Sequence, residues 1–331
     1  MRTYLQEKLT GLEGQLVTFD REGRAVAGDL PDGLLPRLNV TVVRGRVTGP
    51  ITVTASCGGH RIARRAEPGQ NRVVLLLRGY GLWQVDAEVE GGGMIGTHRE
   101  VNVDTVKEYQ TEVGVERRLG LNPPALIREA LELGVGERIW KVGDEIDLTL
   151  TDGRPLTMQL YDFRHDRMPD GAYAPATFGT KHCLERRAQN STQADNRSGW
   201  GKSELRAYLN QYLEGLLPAE WRAVIRTVQK STAKGGRNSA LAWSEDKLFL
   251  IAGEEAFGGT VGSALGEGGL YPIFTDNNSR KKQDELGRPT GWWLRSPVRD
   301  DAERYCCVNG MGDNCVANAD TVQGLAFCFC V

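Results

Sequence analysis

The sequence predicts a β-rich protein in two main parts, an all-β N-terminal sandwich and an α+β C-terminal domain. Forty-one glycines among 331 residues indicate many turns, as a chain of short strands requires. Between residues 36 and 113 apolar residues repeatedly alternate with polar ones, which is the pattern of half-buried strands. Six of the seven tryptophans lie between residues 140 and 293 and indicate a second, larger core.

Composition and charge narrow the classes of function. The chain is too long for a single core, and its 25% charged and 40% hydrophobic residues are typical of a globular protein. A net charge of -2 argues against nucleic acid as the main partner, because no basic excess exists to neutralise phosphates. No apolar run reaches the roughly 18 residues of a membrane span. The N-terminal residues lack the apolar core of a signal peptide, so we expect synthesis in the cytoplasm.

The N-terminal part divides into an attachment or oligomerisation segment, residues 1–35, and a spacer domain, residues 36–113. Leu5, Leu9 and Leu12 give the first segment a short helical pattern. In the second, about six short strands separated by turns predict an antiparallel sandwich of immunoglobulin type. No residue of this domain suggests catalysis.

A linker with a short helix is predicted for residues 114–136, because a helical pattern begins at Pro124 and stops near Gly134. The larger domain, residues 137–331, begins with a hairpin that turns at Asp152. A helix capped by Ser203 follows, and a second begins at Pro218.

The last forty residues, about 292–331, contain the least regular pattern of the chain. Trp292–Pro297 and Gly324–Val331 are apolar and predict buried strands, with Trp292, Trp293, Leu294 and Phe327 as core anchors. We expect Arg295 to donate hydrogen bonds to buried backbone carbonyls. The residues between these flanks follow no period, and such breaks in pattern tend to mark functional surfaces.

Cysteines and acidic residues admit several interpretations. Seven cysteines without a signal peptide make a disulfide framework unexpected, and Cys328 and Cys330 are expected on one buried strand face. Cys306, Cys307 and Cys315 lack the spacing of a metal site, so we expect neither metal nor cofactor. We prefer a structural role to a functional one for three other features. His165 is expected to be a satisfied loop histidine, and the pair His182 and Cys183 to be non-catalytic. Glu254, Glu255 and Glu267 are expected to form a solvated acidic face.

Two resemblances sharpen this picture. The segments Gly79–Val85 and Val101–Val106 resemble the immunoglobulin-like modules of phage tail proteins. Over residues 140–331, the order of landmarks resembles a domain of unknown function found in gut bacterial and phage proteins, which has a C-type-lectin-like fold. These landmarks are Trp140–Asp144, Phe163–Asp166, Gly199–Asn210, Asp246–Leu250, Trp292–Pro297 and Ala326–Val331.

Some members of that group are variable proteins of diversity-generating retroelements, in which reverse transcription randomises adenines in a C-terminal repeat. The resemblance implies a ligand-binding face built from side chains that randomised asparagine codons can encode. It also implies a homo-oligomer, with a trimer favoured, that binds a host cell-surface protein or glycan. Virion tail proteins would be further partners, and the location would be a virion or a bacterial surface. The residues assigned to the variable face are Arg299, Asp300, Asp301, Arg304, Tyr305, Cys306, Asn309, Asp313, Asn314, Cys315, Asn318, Asp320 and Thr321.

Two alternatives remain open. The lectin-like fold is shared with the formylglycine-generating enzyme, so Cys306 with Cys307 or Cys315 could form a copper-binding pair that oxidises a substrate cysteine. The other alternative is an adhesin that is not diversified and recognises one fixed glycan.

Overall fold

The computed structural model describes residues 35–331 except residue 46, residues 91–97 and residue 260, together with the backbone of two short strands before residue 35. The chain divides into two compact units, Met1–Glu116 and Arg117–Val331. The helical pattern predicted at Leu5, Leu9 and Leu12 lies outside the described residues. None of the described helices is long and apolar enough to cross a membrane.

The described strands of the first unit are short, and their pairings are antiparallel with one exception. They are β1 (Gln15–Phe19), β2 (Ala25–Asp29), β3 (Arg37–Val42), β4 (Ile51–Cys57), β5 (His60–Ala66), β6 (Arg72–Leu76), β7 (Gly81–Val89), β8 (Arg99–Val103) and β9 (Glu108–Val113). Strands β1 and β2 pair with each other, while the others form a three-stranded sheet β6-β3-β9 and a four-stranded sheet β5-β4-β7-β8. The parallel contact joins β3 to β9.

Side chains from both of these sheets share one core, as in a sandwich. Alternate residues of β3, β4 and β7 point inward, and Leu38, Val53 and Trp83 among them are completely buried. This confirms the strand pattern predicted from residues 36–113. The Tyr109 hydroxyl closes the turn before β9 by donating to Asp104 Oδ1 (2.6 Å) and accepting from the Asp104 backbone N–H (3.0 Å).

The second unit contains most of the elements. Its strands are β10 (Glu145–Thr149), β11 (Pro155–Phe163), β12 (Ala176–Thr180), β13 (Glu185–Arg187), β14 (Val228–Gly235), β15 (Asn238–Asp246), β16 (Leu248–Phe249), β17 (Lys282–Gln283), β18 (Pro289–Thr290), β19 (Trp292–Pro297), β20 (Arg304–Val308), β21 (Asn314–Asn318), β22 (Gln323–Leu325) and β23 (Cys328–Cys330). Two five-stranded sheets result, β10-β11-β12-β23-β16 and β13-β22-β19-β20-β21. Strands β14 and β15 form a separate hairpin, and so do β17 and β18.

The helices of this unit are short. They are α1 (Pro124–Glu132), α2 (Gly136–Ile139), α3 (Glu204–Tyr208), α4 (Glu214–Leu216), α5 (Ala219–Arg222), α6 (Gly253–Phe257) and α7 (Asn277–Arg280), with 3-10 turns at Leu119–Leu121 and Trp200–Lys202. Helix α1, which the sequence places in a linker, buries Ile127 and Leu131 within the second unit. The predicted Asp152 hairpin is present as β10 and β11.

The helix predicted after Ser203 begins as expected, because the Ser203 hydroxyl accepts a hydrogen bond from the Arg206 N–H at 3.2 Å. A π-helical turn, Leu209–Leu213, separates α3 from α4. In a regular α-helix Tyr212 would share a face with the buried Leu205 and Leu209, but it is 57% exposed. The π turn has a wider repeat than an α-helix, so Tyr212, three positions after Leu209, rotates off the buried face while Leu213, four positions after it, stays buried.

The two apolar flanks of the C-terminal region belong to different sheets. Strand β19 lies in the middle of the second sheet and pairs in parallel with β22. Strand β23 lies between β12 and β16 in the first sheet. The flank Gly324–Val331 therefore crosses from one sheet to the other, and its residues are buried throughout.

Candidate functional site

The region between the flanks forms a regular hairpin, although its sequence has no strand period. Strand β20 pairs with β19 on one side and with β21 on the other, and β21 is the last strand of this sheet. Cys306 pairs with Val316 and Arg304 with Asn318, so these four side chains lie on the same face. The edge position of β21 leaves its side chains much more accessible than those of β20.

Strand β20 is a core strand. Tyr305 is completely buried, with its hydroxyl 3.3 Å from Asn190 Nδ2 and its ring edge-on to Trp293 at 6.4 Å. Cys306 is buried on the opposite face, where its Sγ lies 3.7 Å from the Val261 carbonyl, and burial raises the pKa of its thiol to about 12. The assignment of these two residues to an exposed binding face is therefore wrong. Chain segments cover both faces of β20, and the sequence pattern gives no sign of that cover.

The other predicted site residues lie at or near the surface. Several of them shape the loops rather than project freely: Arg304 Nε donates to Asp301 Oδ2 (2.7 Å), and Asn309 Oδ1 accepts from the Met311 N–H (2.8 Å). Backbone N–H groups, that of Glu303 above all, lower the pKa of Asp301. The exposed members are Arg299, Asp300, Arg304, Asn314, Asn318 and Asp320, and the half-buried ones are Asp301, Asn309, Asp313, Cys315 and Thr321.

A disulfide joins the two strands of the hairpin. Cys307 and Cys315 are directly opposite each other in the register and are bonded. No disulfide was expected from the sequence, and that prediction is wrong for this pair. Cys306 and Cys307 are adjacent on one strand, so their side chains point to opposite faces and do not converge on a shared ligand.

The predicted scaffold of the hairpin is buried as expected. Trp292, Trp293, Leu294, Arg295 and Phe327 have at most 1% of their surface exposed. The indole N–H groups are satisfied by backbone carbonyls, that of Trp292 by Arg280 (3.0 Å) and that of Trp293 by Arg187 (2.8 Å). Strand β19 is therefore anchored in the core, and it supports the hairpin because it pairs with β20.

Arg295 lies at the centre of a buried polar cluster. As predicted, its guanidinium donates to backbone carbonyls, including that of Leu250 at 2.9 Å. It also pairs with the Glu255 carboxylate, with Nη2 3.1 Å from Oε1, and this ion pair is not evident from the sequence because the residues are 40 positions apart. Nearby positive charge outweighs the cost of burial and lowers the pKa of Glu255.

The acidic residues predicted to form a solvated face are buried, so that prediction is wrong. Glu254, Glu255 and Glu267 are between 1% and 8% exposed. Glu267 Oε1 accepts from the Ala233 N–H (2.8 Å), and Glu254 Oε2 accepts from the Glu267 N–H (2.6 Å). Burial raises the pKa of Glu267. These carboxylates satisfy backbone donors inside the domain, which a sequence pattern of clustered acids does not reveal.

His165, Asp166 and Glu255 bring their ligand atoms within 4.8 Å of one another, close enough for a metal ion. The Lys230 ammonium already lies between the two carboxylates, 2.5 Å from Asp166 Oδ1 and 2.7 Å from Glu255 Oε1. The carboxylates outweigh burial and raise the pKa of Lys230, which keeps the cation in place. We therefore assign the cluster a structural role.

Two histidine features have simple accounts. His165 stacks on Tyr271 at 3.9 Å, and its Nε2 lies 3.0 Å from the Gly269 carbonyl. Its buried Nδ1 lies 3.5 Å from Asp166 Oδ1 and has no hydrogen-bond partner among the described residues, so the prediction of a satisfied loop histidine holds for one ring nitrogen only. His182 is adjacent to Cys183, whose thiol pKa burial raises to about 12. A thiol with so high a pKa is a poor nucleophile, because the thiolate is the reactive form.

A protein-family model matches part of the chain. Residues 177–331 match the model of a protein family described as a domain of unknown function, DUF6273. None of the curated proteins compared with the chain matches it. The matched range begins in β12 and contains the whole of the second sheet, so the hairpin and its scaffold lie within the matched residues.

Proposed function

We propose that this protein is a binding protein and that it presents the outer strand of the β20–β21 hairpin to a partner macromolecule. The supporting observation is the contrast within the hairpin: β21 and its flanking loop expose Asn314, Val316, Asn318 and Asp320, while β20 beside it buries every residue except Arg304. The disulfide and the buried tryptophans of β19 hold this surface on a rigid support. Rigid display of adaptable polar side chains is a general device of binding surfaces.

The proposal extends to a specific class. We infer a variable protein of a diversity-generating retroelement, with a C-type-lectin-like domain that carries the hairpin and an immunoglobulin-like sandwich as spacer. Such a protein would act as a phage tail or bacterial surface adhesin, assembled as a trimer with other tail proteins, and would bind a host cell-surface protein or glycan. The support is the family resemblance together with the two-sheet sandwich of the first unit. Only the exposed members of the predicted set are candidates for diversification, because variation at the buried Tyr305 or Cys306 would disturb the core.

A library experiment tests this proposal. In one library the codons for Asn314, Val316, Asn318 and Asp320 are randomised, and in a matched library those for Tyr305, Cys306 and Val308. Both are displayed on phage and selected for folding by protease resistance and for binding to immobilised lysozyme and streptavidin. We expect the first library to retain folded members and to yield binders, and the second to lose most folded members. Equal loss of folding in both would contradict the proposal.

The gene neighbourhood tests diversification separately. We expect a near-copy of the 3′ end of the gene, differing mainly at adenines, beside a reverse-transcriptase gene. If no such repeat is present, the protein is a fixed adhesin rather than a diversified one.

The copper-oxidase alternative depends on two thiols that can approach each other. Cys307 and Cys315 satisfy this condition, because a disulfide joins them. Reduced protein would be titrated with Cu(I) against a chelator of known affinity, with Cys315→Ser as the variant. Tight copper binding that is lost in the variant, together with oxygen-dependent oxidation of a cysteine peptide, would replace the binding proposal with an enzymatic one.

A further inference from the structure

A cleft of about 430 Å³ opens on the second unit, away from the strands of the β20–β21 hairpin. Its walls are the loop 162–173, one face of the β14–β15 hairpin and the glycine-rich segment 266–269. This volume falls within the range of small-molecule sites in proteins. Neither the sequence patterns nor the proposed function accounts for it.

One wall carries an exposed indole next to polar side chains. Ser231 pairs directly with Trp243, and Gln229 lies two positions before Ser231, so the three side chains project from the same face of the β14–β15 hairpin. Trp243 is 65% exposed, although tryptophan is usually buried for much of its surface. It therefore presents a large aromatic surface beside the cleft.

The Ser231 hydroxyl is a second, independent sign of a ligand. Ser231 is only 6% exposed, and its Oγ has no hydrogen-bond partner in the described part of the chain. Buried hydroxyl groups are almost always hydrogen-bonded, since an unsatisfied one is destabilising. Because Ser231 lines the cleft, a ligand hydroxyl in the cleft could satisfy this group.

The loop wall of the cleft carries another exposed aromatic ring. Tyr173 is 46% exposed, and the Arg167 guanidinium packs over its ring at 5.2 Å while Arg167 Nε donates to the Tyr173 hydroxyl at 3.2 Å. The Arg167 carbonyl in turn accepts from the Gln229 N–H at 2.7 Å, which attaches this loop to β14. The aromatic wall is thus held in position before any ligand arrives.

The charges of the cleft point to a neutral ligand. Its floor contains Asp166, Glu255 and Glu267, and the Lys230 ammonium forms ion pairs with the first two. Glu267 accepts from the Ala233 N–H and the Ser296 hydroxyl. Of the lining arginines, Arg164 pairs with Glu137 and Arg167 is stacked on Tyr173. The lining thus offers no concentrated positive charge for a phosphate or sulfate.

We propose that this cleft binds a neutral saccharide. Aromatic ring faces pack against the apolar C–H faces of sugar rings, and serine and glutamine side chains can bond their hydroxyls. Trp243 and Tyr173 supply the rings, and Ser231 and Gln229 supply the polar groups. The site does not depend on the proposed function of the β20–β21 hairpin, and each can fail without the other.

The test uses the full chain and linear neutral tetrasaccharides of α-linked glucose, β-linked glucose, mannose, galactose and N-acetylglucosamine. Saturation-transfer difference NMR detects binding, and tryptophan fluorescence measures affinity. We expect at least one of these saccharides to bind, with affinity about tenfold weaker in Trp243→Ala and Tyr173→Ala, because each removes a stacking surface. Ser231→Ala should weaken binding about fivefold, as loss of one hydrogen bond does.

Matched controls separate this cleft from other surfaces. Tyr212→Ala removes an exposed tyrosine elsewhere, and Lys234→Ala alters a neighbouring cleft that Trp243 also lines. Both variants, and Asn318→Ala in β21, should bind the saccharide as the wild type does. The proposal is overturned if none of the saccharides binds, if only sulfated or sialylated glycans added to the panel bind, or if Lys234→Ala weakens binding while Tyr173→Ala does not.

Discussion

The second unit contains two groups of polar residues that differ in environment far more than in composition. One is the cluster of Asp166, Lys230, Glu255 and Arg295, which is buried and fully paired. The other is the set of polar side chains on and around β21, which are exposed or half-buried and bonded mainly to their own loops. Both contain arginines and carboxylates, so residue type alone does not separate scaffold from surface.

In this domain, the role of a charged residue depends on the groups that it bonds to, not on its residue type. Each buried charge has an opposite charge or several hydrogen bonds within reach, because an unpaired charge inside a protein is strongly unfavourable. The exposed charges around β21 pair at the surface, as Arg304 does with Asp301, and exposed ion pairs contribute little to stability. Substitutions in the two groups should therefore have very different effects on stability and on binding.

The largest effect is expected at Glu255. Glu255→Gln removes the negative charge that faces Arg295 and Lys230, and breaking such a buried pair costs about 4 kcal/mol of unfolding free energy. Urea unfolding followed by tryptophan fluorescence reports on the second unit, because six of the seven tryptophans lie there. Glu285→Gln, at an exposed carboxylate, is the matched control and should change stability by less than about 0.5 kcal/mol. Equal effects of the two substitutions would contradict the structural role of the cluster.

Lys282 is a buried charge without a carboxylate partner, in contrast to Lys230 of the buried cluster. Lys282 Nζ donates to the Tyr161 hydroxyl (2.9 Å), and burial lowers its pKa to about 8 from the ordinary 10.5. Between these two pH values the unfolded chain binds more protons than the folded one, so this group makes stability rise with pH. A shift of this size corresponds to roughly 3 kcal/mol.

Lys282→Met removes this titration, so the stability of the wild type relative to the variant should increase from pH 7.5 to pH 10. The measurement is a pair of urea unfolding curves at each pH. Taking the difference between the two proteins cancels groups that titrate in both, including the buried thiols. A constant difference across this range would show that Lys282 is not desolvated as the structure indicates.

Much of the fold could be predicted because many strands have one polar face. The alternation in β3, β4, β7 and β10 follows directly from that asymmetry, and the Ser203 cap and the Asp152 turn are local signals. Strand β20 lacks such a signal because both of its faces are covered, which leaves no polar alternation. The β14–β15 hairpin escaped prediction for the opposite reason, because β15 exposes apolar and polar residues alike.

The site was predictable only in outline. The buried flank Trp292–Pro297 and the polar character of β21 follow from residue type. The pairing of Glu255 with Arg295, the Cys307–Cys315 bond and the cleft beside Trp243 bring together residues distant in sequence or on different strands. A single sequence carries no pattern that reports such contacts, since they depend on how the sheets and loops pack.

An intermediate effect is expected for the disulfide of the hairpin. The Cys307–Cys315 bond closes a short loop with a sequence separation of 8, and removing it should lower stability by about 2 kcal/mol through the entropy of the unfolded chain. The double variant Cys307→Ser, Cys315→Ser would be compared with the wild type in the presence and absence of dithiothreitol. We expect the reductant to destabilise the wild type only. A thiol titration of the denatured, non-reduced protein that gave seven free thiols rather than five would contradict the bond.

The smallest effect on stability should accompany the largest effect on recognition. Asn314→Ala, Asn318→Ala and Asp320→Ala each alter an exposed side chain of the hairpin, so the unfolding free energy should change by less than about 0.5 kcal/mol. Binders selected from the randomised library depend on these positions, and reverting one selected residue to alanine should weaken their binding at least about tenfold, as at interface hot spots. Thermal melts and surface plasmon resonance on the same preparations measure the two quantities. If stability fell as far as in Glu255→Gln, these residues would belong with the buried cluster, and the contrast between surface and scaffold would not hold.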